Sequence, residues 1–255
     1  MINIIHRILK IINLKIIKYN KFKATKITNL LKTIKNKNKI DRTIKCLSFF
    51  ESQFGQDIFV LNELNFKRKG FFVEFGAANG KDDSNTYLLE KKFNWNGIVA
   101  EPAKIFYKDL CINRSCYIEK KLVWKNSKSK LIFHEDSASG LSTIKNYLKT
   151  DSQIRKKKQQ YILETISLND LLAKYNAPKI IDYLSIDTEG SEYDILKNFD
   201  FTKYKFRIIT CEHNFTTNKD KIYKLLTKNG YLKKHSNLIS FVDDWYIYPF
   251  NKHRK

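Results

Sequence analysis

Phe71-Phe72-Val73-Glu74-Phe75-Gly76-Ala77-Ala78-Asn79-Gly80 decides the fold of this chain. Its first five residues, apolar but for Glu74, read as a strand buried on both faces. The run ends in a Glu-x-Gly-x-x-x-Gly turn, where Gly76 permits a tight reversal and Gly80 a close approach to the backbone. Twenty-one residues beyond Gly80, a second apolar run, Gly97-Ile98-Val99-Ala100, ends in the lone carboxylate Glu101 before Pro102. In α/β nucleotide folds a ribose-binding acid stands about 20 residues past the glycine turn, at the tip of the neighbouring strand. The two runs together predict a site for an adenosine-containing cofactor, with Glu101 accepting hydrogen bonds from both ribose hydroxyls.

The turn itself narrows the choice. Ala78 stands where a dinucleotide fingerprint has its second glycine. That glycine lets a pyrophosphate come up against the following helix. Its absence argues against an NAD-type oxidoreductase. S-adenosylmethionine carries no phosphate and does not need it.

Working outward, apolar strand-like runs alternate with helical patterns, as in an α/β protein. Helices are expected over 56–64, 85–92, 104–111, 168–175, 192–198 and 219–228. Strands are expected over 71–75, 98–101, 117–123, 130–134, 180–186, 206–211, 231–234 and 239–248. The turn 125–129 joins two of these strands, 135–140 reads as a polar loop, and 145–160 as a polar surface excursion. Ser167 with Asp170 three residues on resembles a helix N-cap. Asn229-Gly230 is a helix stop.

Two further strand tips carry chemistry. Asp187-Thr188-Glu189-Gly190-Ser191-Glu192 follows Ile180–Ile186, and Glu212-His213-Asn214 follows the next strand. Strand tips on this edge of an open sheet converge on the ligand crevice. Asp187 could hold the cofactor's ammonium group or orient an acceptor, and Glu192 suits the N-terminus of the helix it opens. His213, whose side chain titrates near neutrality, is a candidate general base. Asp187, Glu212, His213 and Asn214 could also ligate a divalent cation, but no metal site is predicted.

The net charge is +22, from 48 Lys and Arg against 26 Asp and Glu. Residues 1–45 hold 13 of the basic residues and a single acid, Asp41. Within them Ile5, Ile8, Leu9, Ile12, Ile16 and Tyr19 recur at helical spacing, interrupted by lysines too often for a bilayer span or a secretory signal. The expectation is a basic amphipathic helix over 1–22 that rests on an anionic membrane surface, or else packs on the domain. Residues 23–45 read as a linker or short helix, so 1–47 form a basic N-terminal segment, 48–250 the main domain and 251–255 a basic tail. Elsewhere the Lys-, Asn- and Ile-rich composition accounts for much of the charge. The basic–aromatic alternation of RNA-binding modules is not seen, which makes nucleic acid an unlikely partner. Cys46, Cys111, Cys116 and Cys211 have neither CxxC nor zinc spacing. Their usage suits a reducing, cytoplasmic location, peripheral at the inner membrane surface.

Ser52-Gln53-Phe54-Gly55-Gln56-Asp57, Phe72 to Gly80, Asp83-Ser84-Asn85-Thr86, Glu101-Pro102, Ser185 to Glu192 and Glu212-His213-Asn214 occur in this order. The succession, spanning 52–249, resembles the FkbM-type methyltransferases. The resemblance implies a Rossmann-like class I fold with S-adenosyl-L-methionine as cofactor: about seven strands, the last antiparallel, helices on both faces. It implies O-methylation, commonly of hydroxyls on sugars or polyketide-like products, and the expected acceptor is a hydroxyl of a sugar, glycan or glycolipid. By position, Glu74, Gly76, Ala77 and Gly80 would form the cofactor loop, Glu101 would take the ribose, and Asp187 would border the reacting methyl group. Gln53 and Asp57 would cover the cofactor. Asp187, Glu189 and His213 are the expected catalytic residues, with His213 or Asp187 as base and Glu189 orienting the acceptor. Rival readings are a non-catalytic membrane adaptor, an RNA methyltransferase and an NAD-type oxidoreductase.

Overall fold

The computed structural model describes residues 21–136, 141–148 and 157–250. The expected membrane-surface helix over 1–22 lies outside the described residues but for its last two, and the basic tail lies wholly outside them. Among the described residues no helix is long and apolar enough to cross a membrane.

In place of the linker or short helix expected over 23–45, α1 (Lys21–Thr33) and α2 (Lys37–Cys46) enter the core of the protein. Ile27, Leu30, Leu31, Cys46 and Leu47 are buried together with residues of α3 (Gln56–Glu63) and of the central sheet. Asn36 caps α2 by accepting from the Lys39 backbone N–H. Two further bonds tie α2 to α3: Lys39 Nζ donates to the Asn62 carbonyl (2.7 Å), and Asn62 Nδ2 to Thr43 Oγ1 (2.9 Å).

The remaining elements follow in order: β1 (Phe71–Phe75), α4 (Tyr87–Phe93), β2 (Asn96–Ala100), α5 (Tyr107–Asn113), β3 (Tyr117–Glu119), β4 (Leu122–Trp124), β5 (Lys130–Asp136) and β6 (Thr143–Ile144). Then come β7 (Lys157–Ser167), α6 (Leu168–Lys174), β8 (Ile180–Ile186), α7 (Glu192–Lys197), β9 (Lys205–Glu212), α8 (Asn218–Lys228), β10 (Leu232–Lys234), α9 (Asn237–Ser240) and β11 (Asp243–Ile247). Seven strands form the main sheet in the order β10-β11-β9-β8-β1-β2-β3. Its neighbours pair in parallel except β11, the last strand among the described residues, which runs antiparallel between β9 and β10. This is the class I methyltransferase sheet that the sequence predicts.

Alternation along β1 sends Val73 and Phe75 into one core and Phe72 into the other, so both faces of the sheet are covered. The strand order reverses between β1 and its two neighbours. A ligand crevice therefore opens at the carboxyl ends of β1, β2 and β8.

Several sequence expectations change here: residues 135–136 of the expected polar loop belong to β5, and the expected strand 239–248 starts inside α9 and is strand only from Asp243. The run 117–123 is broken into β3 and β4, which belong to different sheets. The polar stretch 145–160 is not irregular throughout: β7 begins at Lys157 and pairs antiparallel with β5, with Gln159 and Gln160 still exposed. β4, β7, β5 and β6 make a second, four-stranded sheet. Its inward residues Leu122, Trp124, Phe133 and Ile144 form a separate small core beside Ala103. This second sheet walls one side of the crevice.

Candidate active site

The tips of β1 and β8 meet at Gly76. Its φ is +73°, and a Cβ there would stand 2.0 Å from the Asp187 carbonyl oxygen. Only glycine lets the two strand ends come this close. The Gly76 N–H donates to the Ala100 carbonyl (3.1 Å), which fixes the turn to β2 as well.

Gly80 has a different reason. A Cβ at that position would lie 2.6 Å from Leu110 Cδ1 and 2.7 Å from Arg114 Cγ. The close approach expected of a ligand is made instead by Arg114, at the end of α5. Glu74 is likewise directed behind the loop. It accepts from Ser84 Oγ (3.0 Å), Thr86 Oγ1 (2.5 Å), the Asn85 N–H (2.7 Å) and Arg114 Nη1 (3.2 Å). Arg114 also binds Glu90 through Nε at 2.6 Å, and its side chain has no exposed surface. Glu74 and Gly80 thus brace the loop from inside and line neither cavity of the crevice.

Those cavities meet at Gly76, Asp187 and Glu189. The smaller, about 480 Å³ and partly open to solvent, lies between the two sheets, walled by Ala100, Leu122, Phe133 and Ile144, with Glu101 and Pro102 at one side. Glu101 is 5% exposed. Its Oε2 accepts from the Ala78 N–H (2.8 Å) and its Oε1 from the Ala103 N–H (2.7 Å). Each oxygen keeps a lone pair for another donor. Burial pushes Glu101 up to about 7, against the pull of those two N–H groups.

The larger cavity, about 1350 Å³ and open to solvent, is lined by Ala77, Gln53, Gln56, Asn79, Asn85 and Asn214, with Phe54, Phe106 and Phe241 among its apolar residues. Asp82, Asp83, Asp187, Glu189 and Glu212 add five carboxylates. Asp187, Glu189 and Glu212 present oxygens all within 4.8 Å of one another, a set that could hold a divalent cation. Burial and mutual repulsion raise the affinity of Asp187 and Glu212 for protons, and the two share a hydrogen bond.

Glu192, the fourth acid of this region, turns back on its own loop. Its Oε1 accepts from the N–H groups of Thr188 (2.9 Å) and Gly190 (3.0 Å). Asp57 also stays inside, where it accepts from Ser52 Oγ and the N–H groups of Glu51 and Ile58. Of the pair expected over the cofactor, Gln53 reaches the cavity and Asp57 holds the segment that carries it.

His213 is not brought to either cavity. Its Nδ1 accepts from the Phe215 N–H (3.1 Å), which places the ring proton on Nε2, 3.3 Å from Asp244 Oδ1. The ring is 1% exposed. Both nitrogens are occupied, so the expectation of a general base at His213 gives way to a bracing role. Glu212, its neighbour, takes the cavity position instead.

Several cavity residues had no assigned role in the sequence reading. Asn85 and Gln56 stood in the ordered motif set, and that was the available signal. Asn85 Nδ2 donates to Ser185 Oγ (2.9 Å), while its Oδ1 is buried with no hydrogen-bond partner. Such an orphaned acceptor is costly unless a ligand supplies a donor. The wall chemistry agrees: among the described residues no Lys, Arg or His lines either cavity. Acceptors and carboxylates suit a ribose diol and a cationic sulfonium or ammonium group. They do not suit a pyrophosphate.

The methyltransferase FkbM domain model matches residues 74–233, more than half of the chain. The chain belongs to the FkbM methyltransferase family. It is an S-adenosylmethionine-dependent methyltransferase, with the matched segment running from the end of β1 to β10. No curated protein matches it in sequence. Solved structures similar to it include a precorrin-6y C5,15-methyltransferase from Geobacter metallireducens GS-15. That likeness has 10% identity and a TM-score of 0.41, and covers 71% of this chain and 72% of the other. A TehB-like SAM-dependent methyltransferase from Corynebacterium glutamicum is similar at 7% identity and a TM-score of 0.38, over 83% and 96% of the two chains.

Proposed function

We propose that this methyltransferase transfers the methyl group of S-adenosylmethionine to a hydroxyl of a sugar or glycan. The observation that carries the reading is the convergence of Asp187, Glu189 and Glu212 beside Gly76, where the two cavities join. The cofactor, when bound, supplies a methyl group already activated on a sulfonium centre.

The residues then divide the work. Glu101 takes the ribose hydroxyls on its spare lone pairs, with its position fixed by the Ala78 and Ala103 N–H groups. Gly76 and Ala77 form the floor, and Asn85 Oδ1 offers an acceptor to the cofactor's ammonium group. A hydroxyl is a poor nucleophile until its proton leaves, so a base must stand in the open cavity. The Asp187–Glu212 pair fits this role because its raised proton affinity brings it toward working pH. Glu189 orients the acceptor. The enclosing second sheet excludes water from the methyl group.

Tritiated methyl transfer from S-adenosylmethionine into fractionated glycans, lipids, RNA and protein tests the reading. Label in the glycan fraction is the expected result. Label confined to RNA or protein would refute the acceptor class, and failure to bind S-adenosylhomocysteine would refute the cofactor assignment itself.

A further inference from the structure

The turn after β9 is strained. Asn214 and Phe215 both have left-handed backbones, with φ of +42° and +55°. Two consecutive non-glycine residues in this region are costly and persist only where the surroundings enforce them. Here the surroundings are His213 and β11. The His213 and Asn214 N–H groups donate to the Val242 carbonyl (2.8 and 3.2 Å). The His213 carbonyl accepts from the Thr216 N–H (2.8 Å), and its Nδ1 accepts from the Phe215 N–H. An acceptor that captures the N–H two residues on does what an Asn or Asp side chain does in an Asx-turn.

The strain has a product. It sets Asn214 in the wall of the larger cavity and leaves Phe215 beside it, 56% exposed. The Phe215 ring is supported edge-on by His213 (centroids 5.3 Å apart) and by Phe241 (5.8 Å), itself a cavity residue. One cation already stands near it: Lys219 Nζ is 5.4 Å from the ring centroid. An aromatic face is negative and draws cations and the partly positive C–H groups of a saturated ring. The cavity that its neighbours Asn214 and Phe241 line holds five carboxylates, in a protein whose net charge is +22. The charge of the cavity thus opposes that of the whole chain, and a phosphorylated or carboxylated acceptor drawn to the outer surface meets repulsion at the site.

We propose that Phe215 is a specificity-determining platform on which a saturated ring without negative charge stacks, and that His213 is the residue that positions it. This rests on the methyl-transfer reading above and names its acceptor more narrowly: a neutral or amino-bearing glycoside. The hydroxyl of the stacked ring faces the Asp187–Glu212 pair, and acidic sugars are rejected.

Saturation-transfer NMR on the full chain with saturating S-adenosylhomocysteine tests it, using methyl glucoside, methyl glucosaminide and methyl glucuronide as probes. The neutral and amino glycosides should show ring-proton saturation, and the glucuronide should bind at least ~30-fold more weakly. Phe215→Ala should weaken glycoside binding roughly 2- to 10-fold, with the S-adenosylhomocysteine Kd unchanged and recovery in Phe215→Tyr. His213→Ala should reproduce the Phe215→Ala loss, whereas His213→Asn, whose side-chain oxygen can still capture the Phe215 N–H, should retain most binding. Equal binding of the glucuronide, absence of saturation in all three probes, or no effect of Phe215→Ala would overturn the proposal. Each of these outcomes is read with the cofactor product bound, so loss of S-adenosylhomocysteine binding marks failure of the broader reading instead.

Discussion

The two cavities share a wall at Gly76, Asp187 and Glu189, yet their electrostatics are arranged in opposite ways. In the smaller, Glu101 is the carboxylate at the proposed cofactor end, and fixed backbone N–H groups meet both of its oxygens. In the larger, five carboxylates line the space and three of them crowd within 4.8 Å of one another. One half is satisfied before any ligand arrives, as suits a site that must hold a cofactor in one pose. The other stores repulsion that a cation or a proton relieves, as suits a site that must move a proton. Pre-organised dipoles bind; crowded acids react.

That contrast can be broken at its reactive end first. Asp187→Asn should lower kcat by roughly 10²–10⁴-fold if the pair acts as the base, while thermal stabilisation by S-adenosylhomocysteine persists. Turnover close to the parent's would show that the crowded acids are not the proton acceptor. Behind the loop, Arg114→Leu strips the guanidinium bonded to Glu74 and Glu90. Removing one partner of a buried ion pair costs about 3–5 kcal/mol, measurable as a drop in urea midpoint at constant m. A loss below about 1 kcal/mol would mean that Glu74 owes its position to its hydroxyl and backbone donors alone.

The smallest effect sharpens the binding half. Glu101 is protonated near pH 7 when folded and near 4.5 in its ordinary state. Between these values the folded chain binds more protons than the unfolded one, so stability declines as pH rises through that window. Glu101→Gln should flatten part of the decline in the ligand-free protein and weaken S-adenosylhomocysteine most at high pH, where the parent carboxylate is ionised. Parallel pH–stability curves for parent and variant would place the titration elsewhere.

Much of this architecture can be read from the chain because its signals are local. The apolar run of β1, the glycine at position 76 and the acid at 101 each report a strand tip without reference to the rest of the fold. The helices of the main domain follow from periodicity, except α9, which runs into a stretch that reads as strand. What escapes is non-local. Lys120 and Lys121 interrupt the run 117–123 too briefly to reveal that β3 and β4 part into different sheets. β7 begins in a lysine- and glutamine-rich stretch whose outward face looks like a loop, since only its partner β5 makes it a strand. Glu74 and Gly80 carry the right residue types in the right order, but Arg114, 34 positions beyond Gly80, decides what they touch. His213 has the same ambiguity: its pairing with Asp244 depends on how β11 lies against β9.

β11 has a consequence in time. Its segment supplies the Val242 carbonyl to His213 and Asn214, Asp244 to the His213 ring, and Asp243 to Gln56 Nε2. These residues follow every other part of the crevice in sequence, so during synthesis they leave the ribosome last among those parts. The turn that carries His213 and Asn214 has nothing to fasten to until β11 slides between β9 and β10.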